Sequence, residues 1–175
     1  MKPIPLLTKE DIDCRIGQAA TSQKGNAYSS LLLYKNARVD MRILDDVFGP
    51  MGWQREHELI NGNLFCSILL WDEEKKQWVK KQDVGTESNT EKEKGEASDS
   101  FKRAGTNVGI GRELYTAPRI SVNLKAEEYT ENNDKIKVKP ATLFFVDAIE
   151  YSDRREIIGL SIIDRTGATR FVWRK

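Results

Sequence analysis

The adjacent cations Lys102 and Arg103 are the residues of this chain best suited to holding a phosphate backbone. They lie in a segment whose apolar residues recur at i, i+4, i+7 and i+11, a spacing that forms one buried stripe on an α-helix. The stripe consists of Ala97, Phe101, Ala104 and Val108. At about 100° per residue, the two cations fall on opposite flanks of the polar side, so both can leave the core. The alternative interpretation is an ordinary solvated helix face, because runs of charge usually have that role.

The sequence offers few residues suited to nucleophilic catalysis or to binding a metal ion. His57 is the only histidine, and its predicted strand favours a structural or surface role over that of a general base. Cys14 and Cys66 lie in alternating strands without a CxxC motif, which indicates free thiols in a reducing compartment. Structural zinc needs four nitrogen or sulfur ligands, and the histidine and two cysteines supply three. The sequence therefore predicts no catalytic residue, no metal and no cofactor.

The glycines Gly105, Gly109 and Gly111 resemble a nucleotide loop only superficially. They lack the order in which backbone amides and a lysine wrap phosphates. They also follow the predicted helix instead of preceding it, so they meet the end of the helix dipole that repels anions. A helix C-terminal cap with close backbone packing is the favoured interpretation.

A metal-dependent nuclease is the enzyme alternative. Glu91, Glu93 and Lys94, with Asp83 upstream, supply the acids and the lysine of such a site. In such a nuclease these groups lie on paired strands around a divalent ion. Here they lie at the start of a predicted helix, where negatively charged side chains also interact favourably with the helix dipole.

An α+β fold is predicted around these residues, with an antiparallel β-meander packed against a long amphipathic helix and a shorter helix. Asn61-Gly62 is the strongest hairpin signal, and Gly49-Pro50 ends the shorter helix. Residues 129–134 are predicted to be a mobile polar turn. The strands are predicted over residues 12–21, 27–34, 53–60, 63–71, 77–84, 141–150, 157–163 and 170–173, and the shorter helix over 37–48.

Several ordered motifs resemble the Rad fifty-two superfamily of single-strand annealing proteins, most closely its phage branch of the Sak type. The resemblance runs from about residue 11 to residue 115. Its motifs are Arg15 at a strand arginine position, Phe48-Gly49-Pro50-Met51-Gly52-Trp53, Asp83-Val84-Gly85, Asp99-Ser100-Phe101-Lys102-Arg103-Ala104, and the Gly/Asn-containing helix end from Asn107 to Gly111.

The resemblance implies ATP-independent binding of single-stranded DNA and annealing of complementary strands in phage-type recombination and repair, without enzymatic activity. Arg15, Lys102 and Arg103 match the family positions that line the DNA groove. Lys80 and Lys81 are candidates for extending that positive track, although they are also typical of an edge strand. Asn63 stands where eukaryotic members have a lysine of a second, outer DNA site. Such a second track is therefore in doubt, or is built from other residues such as Lys92 and Lys94.

The resemblance also implies a single annealing domain over residues 1–175 that assembles into a ring or a helical filament. Residues 116–175 diverge from the family, and are either a subunit-contact region or part of the core sheet. A single-strand-binding protein is a further possible partner. For the apolar strand residues Leu31, Leu33, Phe144 and Phe145, we favour a place in the core over a place between subunits.

Composition agrees with a globular protein in the cytoplasm. Hydrophobic residues make up 39% of the chain and charged residues 31%, and no apolar run is long enough to span a membrane. The net charge of +1 does not by itself indicate a protein that binds nucleic acid, so any basic surface must be a local cluster of cations. A module that interacts with other partners and has no affinity for DNA is the third possibility.

Overall fold

The computed structural model describes residues 2–23, 25–85, 92–133 and 135–175, with the backbone alone for 92–94. The chain forms two compact units. The first comprises Met1–Leu7 and Lys35–Arg112, and the second comprises Thr8–Tyr34 and Glu113–Lys175. The fold is α+β, as predicted, and every strand pair in the described part of the chain is antiparallel. The single annealing domain stays a prediction.

The first unit is the predicted meander with its two helices. The strands β3, β4 and β5 lie side by side in chain order, and helix α2 packs on β4 and β5 and also contacts α1. The elements are α1 (Ala37–Phe48), β3 (Trp53–Ile60), β4 (Asn63–Asp72), β5 (Gln77–Val84) and α2 (Lys92–Val108).

Helix α1 begins and ends where its sequence predicts. The Asn36 side chain accepts hydrogen bonds from the N–H groups of Arg38 (3.0 Å) and Val39 (3.4 Å), which satisfies amides that have no partner within the helix. At the other end, Gly49 has a φ of 78°, and its N–H donates to the carbonyl of Asp45. A glycine takes this conformation without steric penalty, so the helix stops there.

The Asn61-Gly62 turn sets the register of the meander. Asn61 and Gly62 have φ values of 51° and 80°, the positive pair that a type I′ turn requires. In the resulting register, the side chains of Cys66, Ile68 and Leu70 lie on one face of β4 and are buried. Helix α2 covers this face, so the hairpin and the helix together close the core of the first unit.

The second unit is built around a six-stranded sheet in the order β11-β10-β9-β1-β2-β6, with a separate β7–β8 hairpin. Of the six strands described after Tyr115, four therefore lie in one sheet with β1 and β2, and a role of this segment in subunit contact stays a prediction. The strands are β1 (Asp13–Thr21), β2 (Ala27–Tyr34), β6 (Ile120–Asn123), β7 (Tyr129–Asn132), β8 (Lys135–Val138), β9 (Phe144–Tyr151), β10 (Ile157–Asp164) and β11 (Thr169–Arg174).

The predicted polar turn after Glu128 is wrong, because Tyr129–Asn132 is strand β7 and pairs with Lys135–Val138. Its polar sequence lacks the apolar alternation by which a strand is recognised, and the pairing is made by backbone hydrogen bonds. Asn133 takes a φ of 48° in the turn, and Asp134 lies outside the described residues.

The apolar strand residues are only partly in the core. Leu31 and Phe144 are buried as predicted, and Leu33 is half-buried. Phe145 is 48% exposed, so its assignment to the core is wrong. Successive strand residues face opposite sides, and Phe144 takes the inner one. None of the helices described is long and apolar enough to cross a membrane.

Candidate nucleic-acid interface

Helix α2 is fixed to the meander by Phe101, whose side chain is fully buried. The Phe101 ring stacks on the Trp53 ring with 6.1 Å between centroids, and the Arg55 guanidinium lies 4.8 Å from its centroid. Ala104 is also fully buried, whereas Ala97 and Val108 are only half-buried. The predicted stripe is therefore the buried face of α2, and it is deepest at its centre.

Lys102 and Arg103 lie on opposite flanks of this helix, as the spacing predicts. Arg103 lies on the flank toward β5, where its Nε is 3.4 Å from Oδ1 of Asp83, and 42% of its side chain is exposed. Lys102 lies on the flank toward α1, close enough to Asp40 for the two charges to interact. Neither cation is buried, so each can reach an anionic ligand while the face between them anchors the helix.

Asp83 organises the β5 side of this site. Its carboxylate accepts hydrogen bonds from the Asn107 side chain (3.1 Å) and from the N–H of Val84 (2.8 Å), in addition to Arg103. The Asn107 amide also donates to the carbonyl of Gln82 at 3.0 Å. The Asp-Val-Gly and Lys-Arg-Ala motifs therefore meet in space, with the carboxylate orienting the arginine.

Of the residues proposed for a nuclease, only Asp83 has a described side chain. Both oxygens of Asp83 hold protein donors. Glu91 lies outside the described residues, as do the side chains of Glu93 and Lys94. Within the ranges that the structure describes, no group of three His, Cys, Asp or Glu side chains is placed to hold a metal ion.

Lys80 and Lys81 project from opposite faces of β5, because consecutive strand residues alternate. Lys81 pairs with Ile68, which is buried under α2, so it lies on the face that carries Asp83. Lys80 pairs with Leu69 and lies on the other face. The structure thus brings Lys81, and not Lys80, to the same face as Arg103.

The two remaining candidates, Arg15 and Lys92, lie in β1 and at the start of α2. Arg15 is an exposed residue of β1 in the second unit, where it borders a cavity of about 290 Å³ with Tyr34 and Lys139. Sequence reasoning missed these neighbours. The pairing of β1 with β2 would have placed Tyr34 near Arg15. No local sequence pattern indicates that Lys139 lies beside β1. Lys92 begins α2, and its side chain is outside the described part.

The three glycines end α2 and do not form a nucleotide loop. The carbonyl of Gly105 accepts hydrogen bonds from the N–H groups of Gly109 (3.2 Å) and Ile110 (3.0 Å), and Gly109 takes a φ of 114°. The Arg112 guanidinium then donates to the carbonyl of Thr106 at 3.0 Å. The predicted C-terminal cap is confirmed.

The nucleophilic side chains occupy structural positions. His57 Nε2 lies 3.2 Å from the carbonyl oxygen of Ala97, so the ring links β3 to α2. Burial raises the pKa of the Cys66 thiol to about 11, and burial together with Asp13 raises that of Cys14 to about 12. Both thiols are therefore protonated near neutral pH and poorly nucleophilic.

A buried ion pair lies behind the Lys102 flank. Lys35 Nζ is 2.5 Å from Oδ1 of Asp40, and their side chains are 5% and 0% exposed. Burial raises the pKa of the Asp40 carboxyl to about 6, outweighing the attraction of Lys35 and Lys102. The carboxylate is therefore the major form at neutral pH, and it gains a proton under mildly acidic conditions.

This pKa makes stability depend on pH. Because the folded pKa lies above the ordinary one, Asp40 contributes stability at acid pH that is lost as the pH rises through about 6. Relative to Lys35→Met/Asp40→Leu, wild type is expected to lose about 3 kcal/mol between about pH 3.5 and pH 7. Urea unfolding of both proteins across this range measures the difference. Parallel stability curves would contradict the assignment.

Comparison with family models, with curated proteins and with solved structures finds no match to this chain. We therefore infer the function of the chain from its residues and from the geometry that surrounds them.

Proposed function

We propose that this protein binds single-stranded DNA and anneals complementary strands without ATP, as a recombination and repair protein of a phage in its bacterial host's cytoplasm. The observation that carries the proposal is the placement of Lys102 and Arg103 on the flanks of a helix anchored by Phe101. Cations held on a rigid element can follow one phosphate backbone by releasing its counterions, without reading sequence. The bases then stay outward, where a second strand can test pairing.

The electrostatics of the β5 flank support this role. Arg103 keeps its Asp83 contact at the long distance of 3.4 Å with much of its side chain exposed, so a phosphate can share the guanidinium with the carboxylate. Exposed Lys81 lies on the same face and extends the positive track along β5. Arg15 of β1 and Lys92 at the start of α2 are proposed as further residues that bind DNA.

We propose further that the protein works as a homo-oligomeric ring or helical filament. One chain offers a short groove, and joining many grooves multiplies affinity through effective concentration. The second unit carries exposed apolar side chains on one face of its sheet, where Asp13 pairs with both Tyr34 and Phe145. Tyr34, Phe145 and the neighbouring Leu32 are 39%, 48% and 47% exposed, which suits a contact between subunits.

The test is annealing of two labelled complementary oligonucleotides in EDTA and without ATP. Wild type is expected to accelerate duplex formation, and Lys102→Ala/Arg103→Ala to bind single strands at least about 100-fold more weakly with a shallower salt dependence. The matched control removes two lysines that are already paired with acids, Lys75 with Asp72 at 3.5 Å and Lys76 with Glu73 at 2.9 Å.

The control is Lys75→Ala/Lys76→Asn, since asparagine tolerates the φ of 50° at Lys76. Equal loss in both double variants would mean that only net charge matters and would remove the groove assignment. Mg²⁺-dependent cutting that Glu93→Ala abolishes would instead establish the nuclease. Absence of single-strand binding by wild type would leave an interaction module.

A further inference from the structure

The ion pair between Lys35 and Asp40 is not part of the proposed DNA site, yet it lies directly behind it. Lysine and aspartate are seldom this buried, because removing both charges from water costs several kcal/mol per ion before their attraction is counted. A buried ion pair is often no more stabilising than apolar side chains of the same volume. Stability alone therefore does not account for it.

The Lys35 ammonium also holds the backbone of α2. Its Nζ donates to the carbonyl oxygen of Lys102 at 3.1 Å. The hydroxyl of Thr106 donates to the same oxygen at 3.1 Å. The turn of α2 that presents Lys102 is thus tied by a charge-assisted hydrogen bond to Lys35, two residues before the start of α1.

The absence of side chains at Gly105 and Gly111 provides the space that this ion pair occupies. A Cβ at Gly105 would fall on Oδ1 of Asp40, within 3.1 Å of its Cγ. A Cβ at Gly111 would lie 2.6 Å from Cε and 2.7 Å from Cδ of Lys35. Both charged side chains therefore pack against bare backbone at the end of α2, and this packing restricts their movement.

The carboxylate acts on Lys102 by charge as well. Oδ2 of Asp40 is buried and accepts no hydrogen bond from the part of the chain that the structure describes. A carboxylate oxygen without a donor keeps part of its charge uncompensated at low local dielectric. Its attraction to Lys102 supplements the backbone tie from Lys35.

We propose that Lys35 and Asp40 form a positioning pair for Lys102, which fixes the turn of α2 so that the Lys102 ammonium meets a phosphate of the bound strand. The inference rests on the proposed function. It assigns to the two residues no contact with DNA. The pair acts only through Lys102, because Arg103 lies on the opposite flank and is oriented by Asp83.

The test measures single-strand affinity in two backgrounds, wild type and Lys35→Met/Asp40→Leu, which removes both charges together and so leaves none buried alone. Lys102→Ala is expected to weaken binding about tenfold in wild type but less than about threefold in the background without the pair. Arg103→Ala is the internal control and is expected to weaken binding equally in both. Thermal unfolding verifies that each variant is folded.

Each outcome bears on one claim. An unchanged effect of Lys102→Ala in the background without the pair overturns the positioning role and leaves the DNA site intact. Loss of the effect of Arg103→Ala as well also overturns it, because the pair would then support the fold of the whole unit. Absence of any effect of Lys102→Ala in wild type overturns the Lys102 contact itself, and the positioning role with it. If the background variant is unfolded, Lys35→Met/Asp40→Asn, which also removes both charges and the backbone tie, replaces it under the same criteria.

Discussion

Replacing Phe101 by alanine is expected to lower the free energy of unfolding by about 3–5 kcal/mol. The ring is fully buried between α2 and the meander, stacked on Trp53 and under the Arg55 guanidinium. Its removal deletes apolar contacts on both sides and leaves a cavity that the surrounding strands cannot close, because β3 and β4 are locked in one register. Urea unfolding followed by tryptophan fluorescence measures the loss.

Leu59→Ala is the matched control for Phe101→Ala. Leu59 lies on β3, in the same unit, and its side chain is 72% exposed. Its replacement is expected to change stability by less than about 0.5 kcal/mol. Similar values for the two variants would show that α2 does not pack on the meander through Phe101.

Gly52→Ala is expected to destabilise the protein by about 3 kcal/mol or more, because the new methyl group would meet backbone. A Cβ at Gly52 falls against the carbonyl oxygen of Phe48 and 2.9 Å from its carbonyl carbon. The chain is held in that position by two hydrogen bonds: Gly52 N–H donates to the carbonyl of Gly49 (3.0 Å), and Trp71 N–H donates to the carbonyl of Gly52 (3.0 Å). This explains why the second glycine of the Phe-Gly-Pro-Met-Gly-Trp motif is needed.

Gly62→Ala separates this clash from the general effect of losing a glycine. Gly62 has a φ of 80°, but a Cβ there meets no atom within 4 Å. Only the backbone strain remains, and the expected loss is about 1 kcal/mol. If chemical denaturation gives both variants the same stability, steric contact with Phe48 is not the reason for glycine at position 52.

Local signals were sufficient to predict the shorter helix and the meander strands of the first unit. The helix from Ala37 to Phe48 has an Asn36 cap, an apolar face and a glycine stop, and its observed bounds equal the predicted ones. The meander strands also match, because Asn61-Gly62 permits one tight turn and one register. The flanking positions of Lys102 and Arg103 follow from helix geometry alone.

The pairing of strands that lie far apart in the chain could not be predicted from the sequence. The neighbours of β1 are β2, which a hairpin pattern indicates, and β9, which enters through Phe145 and carries no local sign of its partner. Strand β6 is too short to show a period. The Lys35–Asp40 pair was also missed. Two charged residues in a polar stretch are expected to be exposed to solvent, and only the packing of α2 over them shows that they are buried.

The strands of the second unit come from two segments of the sequence, one before and one after the main segment of the first unit. Strands β1 and β2 precede Lys35, whereas β6 and β9 follow Arg112. During synthesis, the central stretch can complete its local contacts while β1 still lacks β9, since closing the longer loop carries the larger entropic cost. Until β9 emerges, the nascent chain presents one free edge of β1 to other strands, a template for misassembly. The order of synthesis therefore leaves the second unit incomplete, and open to misassembly, for longer than the central stretch of the chain.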